Sequence, residues 1–148
     1  MVGDVIKNYN LANSTRAMGL LLKSGITLAE TLEITTRVTG NLVYKGEFKK
    51  LANVANRGVK MSVYLATNRA LFPDVLTQIV SVGEHSGNLS HSLIYLSELY
   101  EAEVDDFTKN LSSMIEPVLM IIMGIMVGFI AISIITPIYS ITQNLTPR

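Results

Sequence analysis

The side chains best suited to catalysis or metal binding are few in this sequence, and they fall within one short segment. His85 and His91 are the only histidines among the 148 residues, and cysteine is absent. The absence of cysteine excludes disulfides, thiolate metal sites and thiol nucleophiles. Glu84 precedes His85, but the H-E-x-x-H spacing that places two ligands and a base on one helical face is missing. The sequence therefore predicts no catalytic residue and no metal site.

The sequence also lacks the signals of a protein that binds nucleotides or nucleic acids. No G-x-x-x-x-G-K-[ST] loop is present to cradle phosphates, and no G-x-S-x-G elbow presents a serine nucleophile. The 12 basic and 12 acidic residues give a formal net charge of zero, whereas nucleic-acid binders carry a basic surplus. We therefore predict a non-enzyme with no bound cofactor and no nucleic-acid partner.

A segment near the C-terminus has the composition of a membrane-spanning helix. The nineteen residues between Pro117 and Pro137 carry no charge, and as a helix they would measure about 29 Å, close to the thickness of a bilayer core. Core helices of soluble domains rarely run so far without a polar stripe. All twelve acids and eleven of the twelve bases precede Pro117, so the positive-inside rule predicts a cytoplasmic large domain. The predicted organisation is a cytoplasmic helical domain over 1–115, one transmembrane helix over 116–138, and a short tail over 139–148.

The first domain shows the periodicity and the end signals of helices. Thr27 and Glu30 form a capping box at the start of the second helix, and glycines follow the ends of the first, third and fifth. The predicted helices are 10–23, 28–38, 41–56, 61–69, 74–86 and one that begins at residue 89. In the sixth, apolar residues continue at steps of three and four from Leu89 to Met114, which predicts a helix packed along its whole length.

A weak repeat runs through these helices. Gly25, Gly58 and Gly87 each end a helix and are followed by apolar residues one and two turns later, at a spacing of about thirty residues. Helical solenoids repeat at similar lengths, but three hairpins also form a closed bundle, and the tetratricopeptide pattern is absent. We predict an all-α fold, a six-helix antiparallel bundle followed by one transmembrane helix.

Two motifs remain after these exclusions, and their order in the chain resembles a known family. They are Val82-Gly-Glu84-His-Ser-Gly87-Asn-Leu89 and Glu116-Pro117, preceded by Phe72-Pro73 and followed by Pro137-Ile138. Together with the glycine turns at Gly25 and Gly58, this pattern resembles the type II secretion system protein F family, which includes platform proteins of type IV pili. The resemblance covers essentially the whole chain.

The resemblance implies a role in the bacterial inner membrane. The resemblance implies a platform protein that couples a cytoplasmic assembly ATPase to the movement of pilin-like subunits. The partners that it implies are that ATPase, pilin or pseudopilin subunits, other inner-membrane assembly proteins, membrane lipid and further copies of the chain. With the large domain in the cytoplasm, the short tail over 139–148 is predicted to be periplasmic. This sequence matches only the second cytoplasmic copy and the last membrane helix of that plan. A membrane-anchored helical adaptor or signalling protein is the alternative function.

Each candidate site residue has a structural and a functional interpretation. Gly83 permits close helix packing, and Gly87 supplies a left-handed cap. Glu84 lies at the margin of an apolar stripe, so we expect a cationic partner or amide donors for its carboxylate. Glu116 and Pro117 either start a helix or set its angle at the membrane.

Two further groups of residues are candidate contact surfaces. Gly124 and Gly128 form a G-x-x-x-G pattern that allows membrane helices to approach closely. Glu101 and Asp105, with neighbouring acids, share a face of the sixth helix. Such a face is usually only solvated, but near anionic lipids a basic partner would remove its electrostatic cost, so we predict that it docks a positively charged surface of the ATPase or of a second copy.

Overall fold

The structure, a computed structural model, describes residues 2–143, with side chains for 3–113 and 115–134. Six helices and no strand occur in this described part, which confirms the all-α prediction. The helices are α1 (Val2–Lys23), α2 (Leu28–Val38), α3 (Leu42–Ala55), α4 (Met61–Leu65), α5 (Asp74–Ser86) and α6 (Leu89–Gln143). The chain divides into two compact units, Met1–Asp106 and Phe107–Arg148.

Local capping chemistry explains several helix ends in the first unit. The Thr27 hydroxyl accepts a hydrogen bond from the Glu30 amide at 3.4 Å, and the Asn41 side chain accepts from Val43 and Tyr44 at 2.9 and 3.3 Å. These bonds satisfy amides that lack a partner in the first helical turn.

Three glycines at the other helix ends adopt positive φ. Gly25, Gly58 and Gly87 have φ values of 85°, 79° and 70°, a backbone region that residues other than glycine rarely adopt. The glycine stops of the sequence are therefore left-handed turns.

One core lies among all six helices of the first unit, as expected of a closed bundle. Its buried apolar side chains are Leu11, Ala12 and Met18 of α1, Leu32 of α2, Tyr44, Phe48, Leu51 and Ala52 of α3, Met61 and Leu65 of α4, Phe72, Leu76 and Val80 of α5 and the preceding turn, and Leu93, Leu96 and Tyr100 of α6. A solenoid would bury each repeat only against its neighbours. The core of this unit is instead contiguous.

Contacts between α1 and α6 show that the two helices are antiparallel. Gly19 approaches Ser90 and Ile94, whereas nearer the start of α1 the Asn8 amide group donates to Glu103 at 2.6 Å. Residue numbers fall along α1 as they rise along α6. The start of α1 therefore lies beside the part of α6 that precedes the end of the first unit.

Two helix boundaries differ from the predictions by more than one residue. α1 begins at Val2 rather than near residue 10, and long-range bonds hold its first turns, among them Lys7 Nζ to the Ala70 carbonyl at 2.9 Å. α4 ends at Leu65 rather than at 69, where the Thr67 hydroxyl donates to the Tyr64 carbonyl at 2.7 Å. Threonine and asparagine side chains offer the backbone such alternatives to helix.

The sixth helix differs in two further ways. It is one helix from Leu89 to Gln143, with Pro117 in its interior. Of the two interpretations of Glu116-Pro117, the helix start is therefore wrong, and the role in setting the angle at the membrane stays a prediction. Apolar environments tolerate proline within helices, because nearby serine or threonine hydroxyls bond freed carbonyls. The prediction of packing along the whole length is also wrong, since Leu111 is 49% exposed.

The second unit contains the apolar part of α6. Among the described residues, α6 is the one helix long and apolar enough to cross a membrane, and none of its most apolar window is buried. The 144–148 part of the predicted tail and the side chains of Pro137 and Ile138 lie outside the described residues. The boundaries at 115 and 138 stay predictions.

Candidate functional site

The carboxylate of Glu84, near the end of α5, caps the N-terminus of α4. Oε1 accepts from the Met61 amide at 2.6 Å, and Oε2 accepts from the Ser62 amide and hydroxyl at 3.1 and 2.5 Å. Lys60, the residue at the N-cap position of α4, makes no capping bond with its own side chain. A carboxylate in this position also interacts favourably with the positive end of the helix dipole. Amide donors were one of the two partners expected for Glu84, and they belong to the neighbouring helix.

His85 extends this junction through its two ring nitrogens. Nδ1 lies 2.6 Å from the Ser81 carbonyl, and Nε2 lies 2.9 Å from Lys60 Nζ. A carbonyl can only accept, so Nδ1 carries the hydrogen and Nε2 accepts from the lysine. The imidazole is therefore occupied on both sides by structural partners. In the described part of the chain, no group of three or more acidic, histidine or cysteine side chains is placed to hold a metal ion.

Gly83 and Gly87 complete the junction between α5 and α6. A Cβ at Gly83 would lie 2.5 Å from Ser92 Oγ and 3.1 Å from the Leu89 Cα, so α6 approaches α5 too closely for any side chain there. Gly87 ends α5 in the left-handed conformation, and its amide donates to the Gly83 carbonyl. Gly83, Glu84 and Gly87 are thus brought together where α4, α5 and α6 meet. Their contact with partners stays a prediction.

A second close approach in this unit has no counterpart among the predictions. A Cβ at Gly19 would lie 2.8 Å from Ile94 Cγ1 and 3.1 Å from the Ser90 carbonyl oxygen, so this glycine sets the distance between α1 and α6. Gly19 lies in the middle of a helix, where glycine has low helical propensity. That unfavourable choice was the signal in the sequence that a close contact occurs there.

The acidic face of α6 is partly neutralised within the chain. Arg16 of α1 forms an ion pair with Glu101, and both side chains are about half exposed. Glu103 accepts the hydrogen bond from Asn8. Asp105 and Glu98 are exposed on the same helix. The face therefore keeps acidic groups for a partner, but Glu101 already has a cation.

A second polar contact joins α3 to α4 near the aromatic part of the core. Glu47 is only 12% exposed and forms an ion pair with Lys50 at 2.8 Å, and it accepts from the Tyr64 hydroxyl at 2.9 Å. These partners lower the pKa of Glu47, with the Lys50 bond as the main cause. Burial, with the nearby Glu47 carboxylate, raises the pKa of Tyr64 to about 12. Both shifts favour the pairing of an ionised carboxylate with a neutral phenol.

The remaining candidates lie in the second unit. Glu116 and the apolar side chains that follow it are exposed. A Cβ added at Gly124 or Gly128 would meet no atom of the described residues within 4 Å beyond the backbone of its own helix. The two glycines are therefore open to an approaching helix. Their role in helix association stays a prediction.

Comparison with known proteins identifies one family. The family model described as "Type II secretion system (T2SS), protein F" matches residues 14–137. This match includes the junction around Glu84, the acidic face of α6 and most of the apolar segment.

Individual relatives agree with that family. The type IV pilus assembly protein PilC of Thermus thermophilus is 30% identical over 144 residues, which cover 97% of this chain and 36% of that protein. PilC of Pseudomonas aeruginosa is 27% identical over 139 residues, 94% of this chain and 37% of that protein. The type II secretion system protein F of Pseudomonas aeruginosa is 28% identical over 144 residues, 97% of this chain and 35% of that protein. The chain spans about a third of the length of these relatives.

Proposed function

Because the chain belongs to the type II secretion system protein F family, we propose that it is a non-enzymatic platform module of a type II secretion or type IV pilus assembly machine. The observation that carries this proposal is the family match over 14–137, which joins the helical unit and the apolar segment in one pattern. The relatives bear the names of both kinds of machine. The chain corresponds to only about a third of each relative, so the role of a whole platform protein is a proposal for this chain.

The proposed location is the bacterial inner membrane, crossed once by the apolar part of α6. In support, the side chains between Pro117 and Ile134 are uncharged and exposed, a state that water penalises and lipid does not. The first unit is proposed to lie in the cytoplasm, because Lys and Arg residues concentrate before Pro117. The 139–148 tail is then periplasmic.

The proposed partners are a cytoplasmic assembly ATPase, pilin-like subunits, other inner-membrane assembly proteins and further copies of the chain. The chain has no phosphate-binding loop of its own, so we propose that an ATPase supplies the energy for subunit movement. The acidic face of α6 offers Asp105 and Glu98 to a basic surface, whereas Glu101 is paired with Arg16. We therefore assign the docking contact to Asp105 and Glu98 first.

Co-purification of the full chain in detergent with an assembly ATPase of the same cell tests this proposal. We expect the ATPase to bind at low salt and to dissociate as salt rises, because screening weakens contacts between exposed charges. Reversal of Glu98 and Asp105 to lysine should weaken binding. Glu33→Lys, which reverses an exposed acid in the interior of α2, is the control and should bind as the unchanged chain does.

Three results would contradict parts of the proposal. If no pilus or secretion ATPase binds, the adaptor or signalling function is favoured instead. If the Glu98→Lys/Asp105→Lys variant binds normally, the acidic face is only solvated. Nucleotide hydrolysis that stays with the chain through stringent washing would contradict its non-enzymatic role.

A further inference from the structure

The turn between α2 and α3 exposes apolar side chains that the bundle does not use. Val38, Leu42 and Val43, which we call the apolar tip, are 67%, 81% and 58% exposed. Leu42 is more exposed than any large apolar side chain described in the membrane-spanning segment, where the highest value is 73% at Phe129. The turn needs the Asn41 cap but not these three side chains, so their exposure has no explanation within the fold.

Basic residues flank the apolar tip. Arg37 precedes it, and Lys45 and Lys49 follow it on α3, where all three line a groove of about 390 Å³ between α2 and α3. Arg37 is 3.6 Å from Glu33, whereas neither lysine forms an ion pair within the described residues. An exposed apolar patch bordered by cations is the combination that binds the interface of anionic membranes.

The apolar tip lies at the end of the first unit where α6 leaves it. Val38 and Asn41 share a cleft of about 320 Å³ with Tyr9 of α1. The residue before Tyr9, Asn8, is bonded to Glu103 of α6. Only residues 107–116 then separate this unit from the apolar segment that begins at Pro117. These ten residues are part of α6 and join the unit that carries the tip to the apolar segment.

We propose that the apolar tip inserts into the interface of an anionic bilayer, with Lys45 and Lys49 bound to lipid headgroups. The occupant of this surface is phospholipid rather than a protein, because the tip combines exposed apolar side chains with cations and the same chain carries the apolar segment proposed to enter lipid. The contact would fix the helical unit to the membrane surface at a second point. It rests on the proposed membrane anchoring and is independent of which machine the protein serves.

The absence of tryptophan from the sequence permits a direct test. Val38→Trp places a single reporter on the tip, and Val82→Trp places one on α5 at the opposite end of the unit. Both valines are 67% exposed, so the second variant controls for the preference of tryptophan itself for interfaces. Phe129→Trp, in the apolar segment, reports separately whether that segment is embedded. Each full-length variant is placed as one copy per nanodisc of phosphatidylglycerol and phosphatidylcholine, with or without brominated lipid.

We expect brominated lipid to quench the tryptophan at position 38, and its emission to shift to the blue, while the tryptophan at position 82 shows neither change. Lys45→Gln and Lys49→Gln should each lower the equilibrium constant for docking about fivefold in anionic discs. Zwitterionic discs should reduce quenching at position 38 and leave quenching at position 129 unchanged.

Equal quenching at positions 38 and 82 overturns the proposal. A blue-shifted reporter at position 38 that brominated lipid does not quench also overturns it, and indicates a protein contact instead. Loss of quenching at position 129 refutes the membrane anchor, whereas loss at position 38 alone refutes only the lipid contact of the tip. The two failures are therefore distinguishable.

Discussion

Removal of the Glu84 carboxylate should loosen α4 while leaving the rest of the first unit folded. The carboxylate accepts three hydrogen bonds, two of them from the Met61 and Ser62 amides. A helix cap is worth about 0.5 to 2 kcal/mol, and a single hydrogen bond to a charged group about 1.5 to 3 kcal/mol. Because the site is partly exposed, water replaces some of this loss in the variant. We therefore expect Glu84→Ala to lower the free energy of local opening at α4 by about 2 kcal/mol.

Amide hydrogen exchange of the full chain in nanodiscs measures this opening directly. A change of about 2 kcal/mol corresponds to exchange roughly 30 times faster at the Met61 and Ser62 amides. Glu84→Gln keeps one acceptor and the shape of the side chain, so its effect should be smaller, about fivefold. Glu98→Ala, which removes an exposed acid from α6, is the control and should leave α4 unchanged.

Two outcomes would refute this reasoning. Unchanged exchange at Met61 and Ser62 in Glu84→Ala would mean that the carboxylate does not cap α4. An equal acceleration in every helix would mean that Glu84 supports the whole unit rather than this local junction.

Three other predictions follow from the first unit. Gly83→Ala should destabilise the unit by about 1 to 3 kcal/mol, because the new Cβ meets α6. Gly46→Ala, which has no atom near its Cβ position, should stabilise the unit by up to about 1 kcal/mol. Denaturant unfolding measures both changes. Because the pKa of Glu47 is lowered in the folded state, its ionised carboxylate stabilises the fold above the unfolded pKa, and this stability is lost as pH falls through the lower folded pKa. Glu47→Gln should therefore lose less stability than the unchanged chain between about pH 6 and about pH 3. An equal loss in the two proteins would contradict this prediction. Glu101→Arg should lower the free energy of unfolding by less than about 1 kcal/mol, because its ion pair with Arg16 is exposed. Arg16→Glu in the same chain should restore that stability. A larger loss without restoration would exclude the ion pair as its cause.

Local chemistry made much of the fold predictable from sequence. Thr27, Asn41 and Gly87 each satisfy the backbone through neighbours within a few residues, so their roles as helix ends could be read directly. The apolar periodicity that begins at Leu89 likewise identified side chains of α6 that enter the core, such as Leu93 and Leu96.

The features that sequence reasoning missed depend on contacts distant in the chain. The early start of α1 rests on Lys7 and Asn8, whose partners lie 63 and 95 residues later in the chain. The Arg16 and Glu101 pair has the same origin, because nothing local relates the two residues. The continuity of α6 through Pro117 was missed for another reason: proline is a strong stop signal in water, but a weaker one in an apolar environment.

The carboxylate that caps α4 belongs to α5, so the formation of α4 during folding depends on α5. α4 has five residues, too few to pass the unfavourable nucleation step of a helix by itself. Its first amides find their acceptor only when a carboxylate 22 and 23 residues later in the chain is in place. We therefore expect α4 to form after α5 has packed, with substitutions at Glu84 speeding the unfolding rate far more than they slow the folding rate. Under mechanical or thermal load, the α4 segment should then be the first part of the bundle to open, so the unit yields locally before its shared core is exposed.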